Sequence, residues 1–223
     1  MRSSELNRWW AIVSATTMPI VRLMFRVRVE GIANIPSTGP AILAFNHVSV
    51  LDGPVLAIEV ARRRRRESRF LVAAEVFHRL LVGWLLRSFD QIPIRRGEAD
   101  AGALDEAIAT VENGAIAAIA PEGRVNDAAD VGLQRIRRGT ARLALPTGAP
   151  VIPVGLWGTN IRWPRSGLRF GPPWRPRLVL VFGGPIAPYG DPADPADVDA
   201  FTDRVREALE EQVARARAIA ERR

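Results

Sequence analysis

Ala115-Ile116-Ala117-Ala118-Ile119-Ala120-Pro121-Glu122-Gly123-Arg124 is the stretch on which the fold turns. An apolar run without a polar break gives way, through a proline and a glycine, to charged residues. A strand with one face in water alternates apolar and polar residues. A strand apolar throughout belongs in a sheet covered on both faces, as parallel α/β sheets are. Working outward, similar short runs at 25–29, 41–45, 70–73, 91–94, 151–154 and 177–182 are candidate strands. Between them, helical periodicity marks 54–64, 75–89, 99–112, 137–147 and 198–222, the 75–89 helix reading as core. This alternation predicts one α/β domain with a mostly parallel central sheet flanked by helices. Stretches 163–176 and 185–195, rich in Pro and Gly, read as loops.

The chain's 223 residues suffice for one sizeable domain. With 48% hydrophobic and 25% charged residues, a disordered chain is excluded. There is no cysteine, so disulfides, thiolate nucleophiles and Cys-ligated metals are excluded. Two histidines, His47 and His78, make no His-rich metal set, and neither a metal nor a bound cofactor is expected. The net charge is +7 and every basic residue is arginine. Such a chain seeks an anionic partner: nucleic acid, an anionic bilayer or a phosphorylated substrate. A GC-rich genome produces the same arginine bias. The tryptophans and arginines form no nucleic-acid motif, so nucleic acid is not an expected partner.

Residues 9–21 are largely apolar, interrupted by Pro19 and followed by Arg22, Arg26 and Arg28. A spanning helix needs about 20 apolar residues, and this run is shorter. A weak n-region and the lack of a small-residue cleavage site argue against a signal peptide. Trp9-Trp10 with basic flanks suits an amphipathic helix lying in the headgroup layer; a helix packed on the protein's own core is the plain alternative. The expected division is an interfacial anchor over 1–28 and the α/β domain over 29–223.

Ligands of open α/β sheets bind beyond the carboxyl ends of the strands. Four predicted strand ends carry polar groups: Asn46-His47-Val48-Ser49-Val50-Leu51-Asp52, Arg95-Arg96-Gly97, Pro121-Glu122-Gly123-Arg124, and Gly155-Leu156-Trp157-Gly158-Thr159. His47 and Asp52, five apart, do not share a helix face and meet only if the chain turns between them. Asp52-Gly53-Pro54 supplies a turn, with Asp52 as N-cap. The carboxylate then fixes the imidazole tautomer and stabilises the imidazolium as it forms. General-base catalysis of this kind gives about 10²–10⁴-fold. The plainer reading is a capping aspartate beside a surface histidine. Asn46 satisfies turn backbone on the same plain reading. Ser49 is a loop residue, because no Gly-x-Ser-x-Gly elbow exists. Arg95 and Arg96 suit bidentate phosphate binding, or are two solvated arginines. Glu122-Gly123-Arg124 is a site edge or an ordinary turn. The run 62–66 reads as a solvated face, and His78 as a packing or surface residue.

Four blocks in order carry a resemblance: Asn46-His47-x4-Asp52, Ile92-Pro93-Ile94-Arg95-Arg96-Gly97, Pro121-Glu122-Gly123-Arg124 and Val151-Ile152-Pro153-Val154-Gly155. Over roughly 35–184 the chain resembles the glycerophospholipid acyltransferases, among them the lysophosphatidate acyltransferases. The resemblance implies an α/β fold on the cytoplasmic face of the cell membrane, as a peripheral or monotopic protein. It implies transfer of a fatty acyl group from acyl-coenzyme A or acyl carrier protein, as cosubstrate, to a hydroxyl of a phosphorylated lipid acceptor, foremost 1-acylglycerol-3-phosphate. A glycolipid, an amino-lipid or glycerol 3-phosphate is the alternative acceptor, and a non-enzymatic membrane-binding module the remaining rival. By resemblance His47 is the general base and Asp52 its orienting partner. Asn46 lies in the same block, Arg96 with Arg95 grips the acceptor phosphate, and Glu122, Gly123 and Arg124 form the acceptor block. The third block departs from the family's Phe-Pro-Glu-Gly-Thr-Arg: Ala120 replaces the aromatic and no threonine follows Gly123. Arg124, Arg135, Arg137 and Arg138 are the candidates for its phosphate-binding arginine.

Overall fold

The computed structural model describes residues 8–95, 101–126 and 132–222. Among these, the strands are β1 (Arg26–Glu30), β2 (Ala41–Phe45), β3 (Ser68–Ala73), β4 (Ile92–Ile94), β5 (Ile116–Ile119), β6 (Val151–Trp157) and β7 (Arg177–Phe182). They form one sheet in the order β1-β7-β6-β2-β5-β3-β4. The helices are α1 (Arg8–Met24), α2 (Asp52–Arg64), α3 (Leu80–Ser88), α4 (Ala101–Glu112), α5 (Gly139–Thr147), α6 (Thr159–Arg162) and α7 (Pro195–Glu221). Strands β2 to β6 are mutually parallel. β7 is antiparallel to β6 and parallel to β1, so this pair runs against the other five. The carboxyl ends of β2 to β6 and the amino ends of β1 and β7 therefore share one rim.

The central strand shows why the apolar runs are unbroken. Side chains alternate across a strand. Ala41, Leu43 and Phe45 of β2 pack with α1 and α2 on one face. Ile42 and Ala44 pack with α4, α5 and the start of α7 on the other. Both faces are dry, so neither has room for a polar residue. β6 runs three residues past the expected 154, because Gly155 does not end the strand. A Cβ on Gly155 would lie 2.2 Å from the carbonyl oxygen of Gln212, so its absence lets the backbone of α7 rest directly on the sheet.

Three expectations are corrected. The single helix over 75–89 is a 3-10 turn (Ala74–His78), an extended Arg79 and then α3. Gly83 allows this fold-back: its amide donates to the Arg79 carbonyl at 2.6 Å, and a Cβ there would strike the Phe77 carbonyl. Nor is α3 core, since Leu80, Leu81 and Trp84 are 92%, 83% and 66% exposed. The run 62–66 is not wholly solvated: Arg66 is buried and donates to the carbonyls of Pro36, Gly39 and Gly114. It ties together the turns that precede β2 and β5, and burial lowers its pKa.

α1 divides its apolar residues between two faces. Trp10, Ser14, Met18 and Val21 recur at helical spacing and are buried. The ring of Trp10 meets that of Phe89 at 4.5 Å. Ile12, Ile20 and Leu23 are exposed on the other side. No described helix is long and apolar enough to cross a membrane. Residues 26–28 of the expected anchor belong to β1.

Candidate active site

β2 ends at the middle of the rim and delivers His47. The loop 46–51 turns before α2 begins, closed by Asp52 N donating to Ser49 O at 3.2 Å and Leu51 N to Ser49 Oγ at 3.0 Å. Asp52 is therefore not the N-cap that its sequence context suggests. Leu51 holds that position without a side-chain cap bond, and Asp52, in the first turn, sends its carboxylate back across the loop. There it meets His47 Nδ1 at 3.0 Å. The same Oδ2 accepts from the amides of Val48 and Ser49 at 2.7 Å each, and Oδ1 accepts from Thr159 Oγ1 at 2.5 Å. Four donors thus converge on one fully buried carboxylate. A carboxylate offers only acceptors, so the proton of this bond is on Nδ1, and in the neutral imidazole the lone pair is on Nε2. The His47 side chain is 22% exposed, and nothing among the described residues hydrogen-bonds Nε2.

The backbone of His47 is clamped as firmly as its ring. Its amide donates to Glu122 Oε1 at 2.8 Å, and its carbonyl accepts from the amide of Asn126 at 2.6 Å. Glu122 lies just beyond β5, the neighbour of β2. Its other oxygen accepts from the amide of Gln134. Burial raises the pKa of Glu122, more than these two amides lower it. The residue is 3% exposed, and its carboxylate braces the histidine loop instead of facing outward as a site-edge charge. Asn46 braces from the opposite side: Nδ2 donates to Leu156 O at 3.0 Å and Oδ1 accepts from Leu156 N at 2.7 Å. With its amide engaged at both ends and 1% exposed, it straps β2 to β6 and does not face a substrate.

The remaining candidates spread along the rim. Gly123 occupies a left-handed turn (φ +70°), with the Arg137 guanidinium beside it. Arg124 is exposed and donates to Gln134 Oε1 at 2.8 Å. Arg138 pairs with Asp199. Arg95 follows β4 and is exposed. Register places it level with His47: Ala44 pairs Ile119, Phe70 pairs Ala118, and Leu71 pairs Ile92. Three strand spacings, about 14 Å, separate β4 from β2. Arg96 and Gly97 lie outside the described residues. Ser49, fully buried, donates to the Trp163 carbonyl at 2.6 Å and shapes the loop. His78 is exposed at the end of its 3-10 turn.

Thr159 is the site residue that sequence reading missed. It lies 107 positions from its partner Asp52. The available signal was the Gly158-Thr159 pair ending a strand that neighbours β2.

Comparison with known proteins fits this geometry. A family model described as Acyltransferase matches residues 26–157, from β1 to the end of β6. An uncharacterised protein of Mycobacterium tuberculosis is 30% identical over 91% of this chain, which spans 66% of that relative's length. A lyso-ornithine lipid O-acyltransferase of Pseudomonas aeruginosa is 31% identical over 68% of this chain and 53% of its own. The crystal structure of the 1-acyl-sn-glycerophosphate acyltransferase PlsC of Thermotoga maritima superposes with a TM-score of 0.69 at 25% identity, over 91% of this chain and 78% of that one. The fold and the rim define an acyltransferase domain. More narrowly, the chain belongs to the glycerophospholipid acyltransferase family.

Proposed function

We propose that this chain moves a fatty acyl group from a coenzyme A or acyl carrier protein thioester to a hydroxyl of a glycerophospholipid precursor, foremost 1-acylglycerol-3-phosphate. The observation that carries the reading is the His47–Asp52 contact through Nδ1, which turns Nε2 away from the carboxylate. His47 Nε2 takes the hydroxyl proton as the oxygen attacks the thioester carbonyl. The tetrahedral intermediate collapses, the carbon–sulfur bond breaks, and the imidazolium returns its proton to the departing thiolate. Asp52 holds the ring and balances its transient charge. No covalent acyl-enzyme forms, in keeping with a Ser49 hydroxyl already engaged by Trp163.

Arg95, with Arg96, is the proposed clamp for the acceptor phosphate, on the β4 side of His47. A planar guanidinium binds phosphate oxygens in pairs. A second acceptor class, an amino-lipid, is favoured by the departure in the third block and by the Pseudomonas relative. Attachment to a membrane surface is supported by exposed apolar residues on α1 (Ile20, Leu23), on α3 (Leu80, Leu81, Trp84) and in the 163–176 loop (Phe170, Trp174).

The test is an acceptor screen with radiolabelled acyl-coenzyme A, run on the wild type and on His47→Ala. Transfer to a lysophospholipid or amino-lipid acceptor, falling about 10²–10⁴-fold in the variant, is the expected result. Equal turnover by the two proteins sinks the assignment of His47.

A further inference from the structure

At the far end of the rim from Arg95, six arginines from four elements converge. Arg22 is on the last turn of α1, Arg26 and Arg28 are on β1, Arg175 and Arg177 enter β7, and Arg222 follows α7. Together they line an open groove of about 640 Å³. We propose that this groove is a phosphate-binding site that seats the adenosine 3′-phosphate 5′-diphosphate end of acyl-coenzyme A. The inference rests on the acyl-transfer reading above and names the donor for it.

Charge accounting within the groove supports an anionic ligand. Arg28 is neutralised by Glu30, which also takes Arg215. Arg177 donates to the carbonyls of Ile219 and Arg222, covering the partial negative charge at the end of α7. Arg22, Arg26, Arg175 and Arg222 have no carboxylate partner among the described residues. Charged residues on an edge strand also deter pairing with another sheet. That accounts for Arg26 and Arg28 on β1, and the Arg175 guanidinium covers the Arg22 carbonyl at the end of α1 at 2.7 Å, but no carboxylate among the described residues balances Arg22, Arg175 or Arg222.

Position selects the ligand. Trp157 pairs Val179 in the antiparallel ladder, which sets Arg177 opposite Thr159, the hydroxyl bonded to Asp52. A Cβ on Gly158 would strike the Arg177 carbonyl, so the two segments touch. Ile219, on the groove wall, packs in one cluster with Val48, the residue after His47. Arg177 and Arg26 stand two and three strand spacings from β2, about 10 and 14 Å. In coenzyme A the thioester sulfur is thirteen bonds from the nearest phosphorus, roughly 15 Å when extended as a polypeptide backbone extends. A donor with its phosphates in the groove can thus present its thioester at His47, while the acceptor phosphate is held by Arg95 on the other side. A bilayer surface has similar charge, but a concave groove favours a compact polyanion.

The test is calorimetric titration of the full chain with coenzyme A, 3′-dephospho-coenzyme A and pantetheine. The wild type is expected to bind coenzyme A, more weakly without the 3′-phosphate and far more weakly without the nucleotide, with affinity falling as salt rises. Arg26→Ala and Arg222→Ala are each expected to weaken coenzyme A binding roughly ten- to a hundredfold while melting as the wild type does. No binding by the wild type, or equal affinity for coenzyme A and pantetheine, overturns the proposal without any variant. So does loss of sedimentation with phosphatidylglycerol vesicles in variants whose coenzyme A affinity is intact, which assigns the groove to the bilayer. Turnover is scored separately: acyl transfer from acyl carrier protein without coenzyme A binding removes the groove and leaves the reaction. Arginine-dependent coenzyme A binding without turnover removes the reaction and leaves the groove.

Discussion

Asp52 can be changed without unfolding the loop, and that makes its role testable. An asparagine oxygen in place of Oδ2 can still accept from Val48, Ser49 and His47, while the amide turns toward Thr159, whose hydroxyl can reverse to accept. What is lost is the negative charge facing the imidazolium. Asp52→Asn is expected to lower kcat by orders of magnitude, within the about 10²–10⁴-fold that the base itself supplies, with KM and melting temperature little altered. A large rise in KM with kcat preserved would assign Asp52 to substrate binding. Glu122 makes a different prediction. Its pKa is raised in the folded chain, so below the ordinary carboxylate range both states hold the proton and the shift contributes nothing. As pH rises through that range the unfolded chain ionises first, and stability falls until the raised pKa is passed. Melting curves from pH 4 to 8 are expected to show the wild type losing stability relative to Glu122→Gln across that window. Parallel curves would mean the burial of Glu122 carries no such penalty. The His47–Asp52 pair was legible because its members are five residues apart in one block. Asn46, Glu122 and Thr159 were not legible in their roles, because each acts on a residue that only the sheet brings near.

At the scale of elements, the strands were readable and the helix boundaries less so. An apolar run of five or six residues signals a covered strand whatever packs on it. Helix ends and breaks depend on tertiary contacts such as Gly83 against Phe77, which no local pattern encodes. Gly155 shows the same limit: locally it reads as a strand end, whereas tertiary structure makes it the floor on which α7 lies. Gly155→Ala is therefore expected to destabilise the fold by about 1–3 kcal/mol through overpacking, measured by denaturant titration. An unchanged midpoint would show that α7 can lift off β6 freely.

Across the whole molecule, charge and apolar exposure converge on one behaviour. For the proposed membrane contact, a net charge of +7 favours an anionic surface, and the exposed side chains of α3 would enter the headgroup layer. Replacing Leu80, Leu81 and Trp84 together by serine is expected to reduce sedimentation with phosphatidylglycerol vesicles several-fold, with little effect on melting, because these side chains are exposed. Raising salt should weaken binding of both proteins. Sedimentation identical to wild type would move the contact surface elsewhere.

The reversed β1–β7 pair has a consequence for synthesis. Among the described residues β1 hydrogen-bonds within the sheet only to β7, whose residues are made about 150 positions later. On a ribosome the early strand must wait, its edge unzipped, while β2 to β6 assemble beside it. Such long-range closure is slow and leaves a sticky intermediate. Amides of residues 26–30 should then gain protection from hydrogen exchange in step with those of residues 177–182, last in refolding, as a clasp shuts after the bag is full.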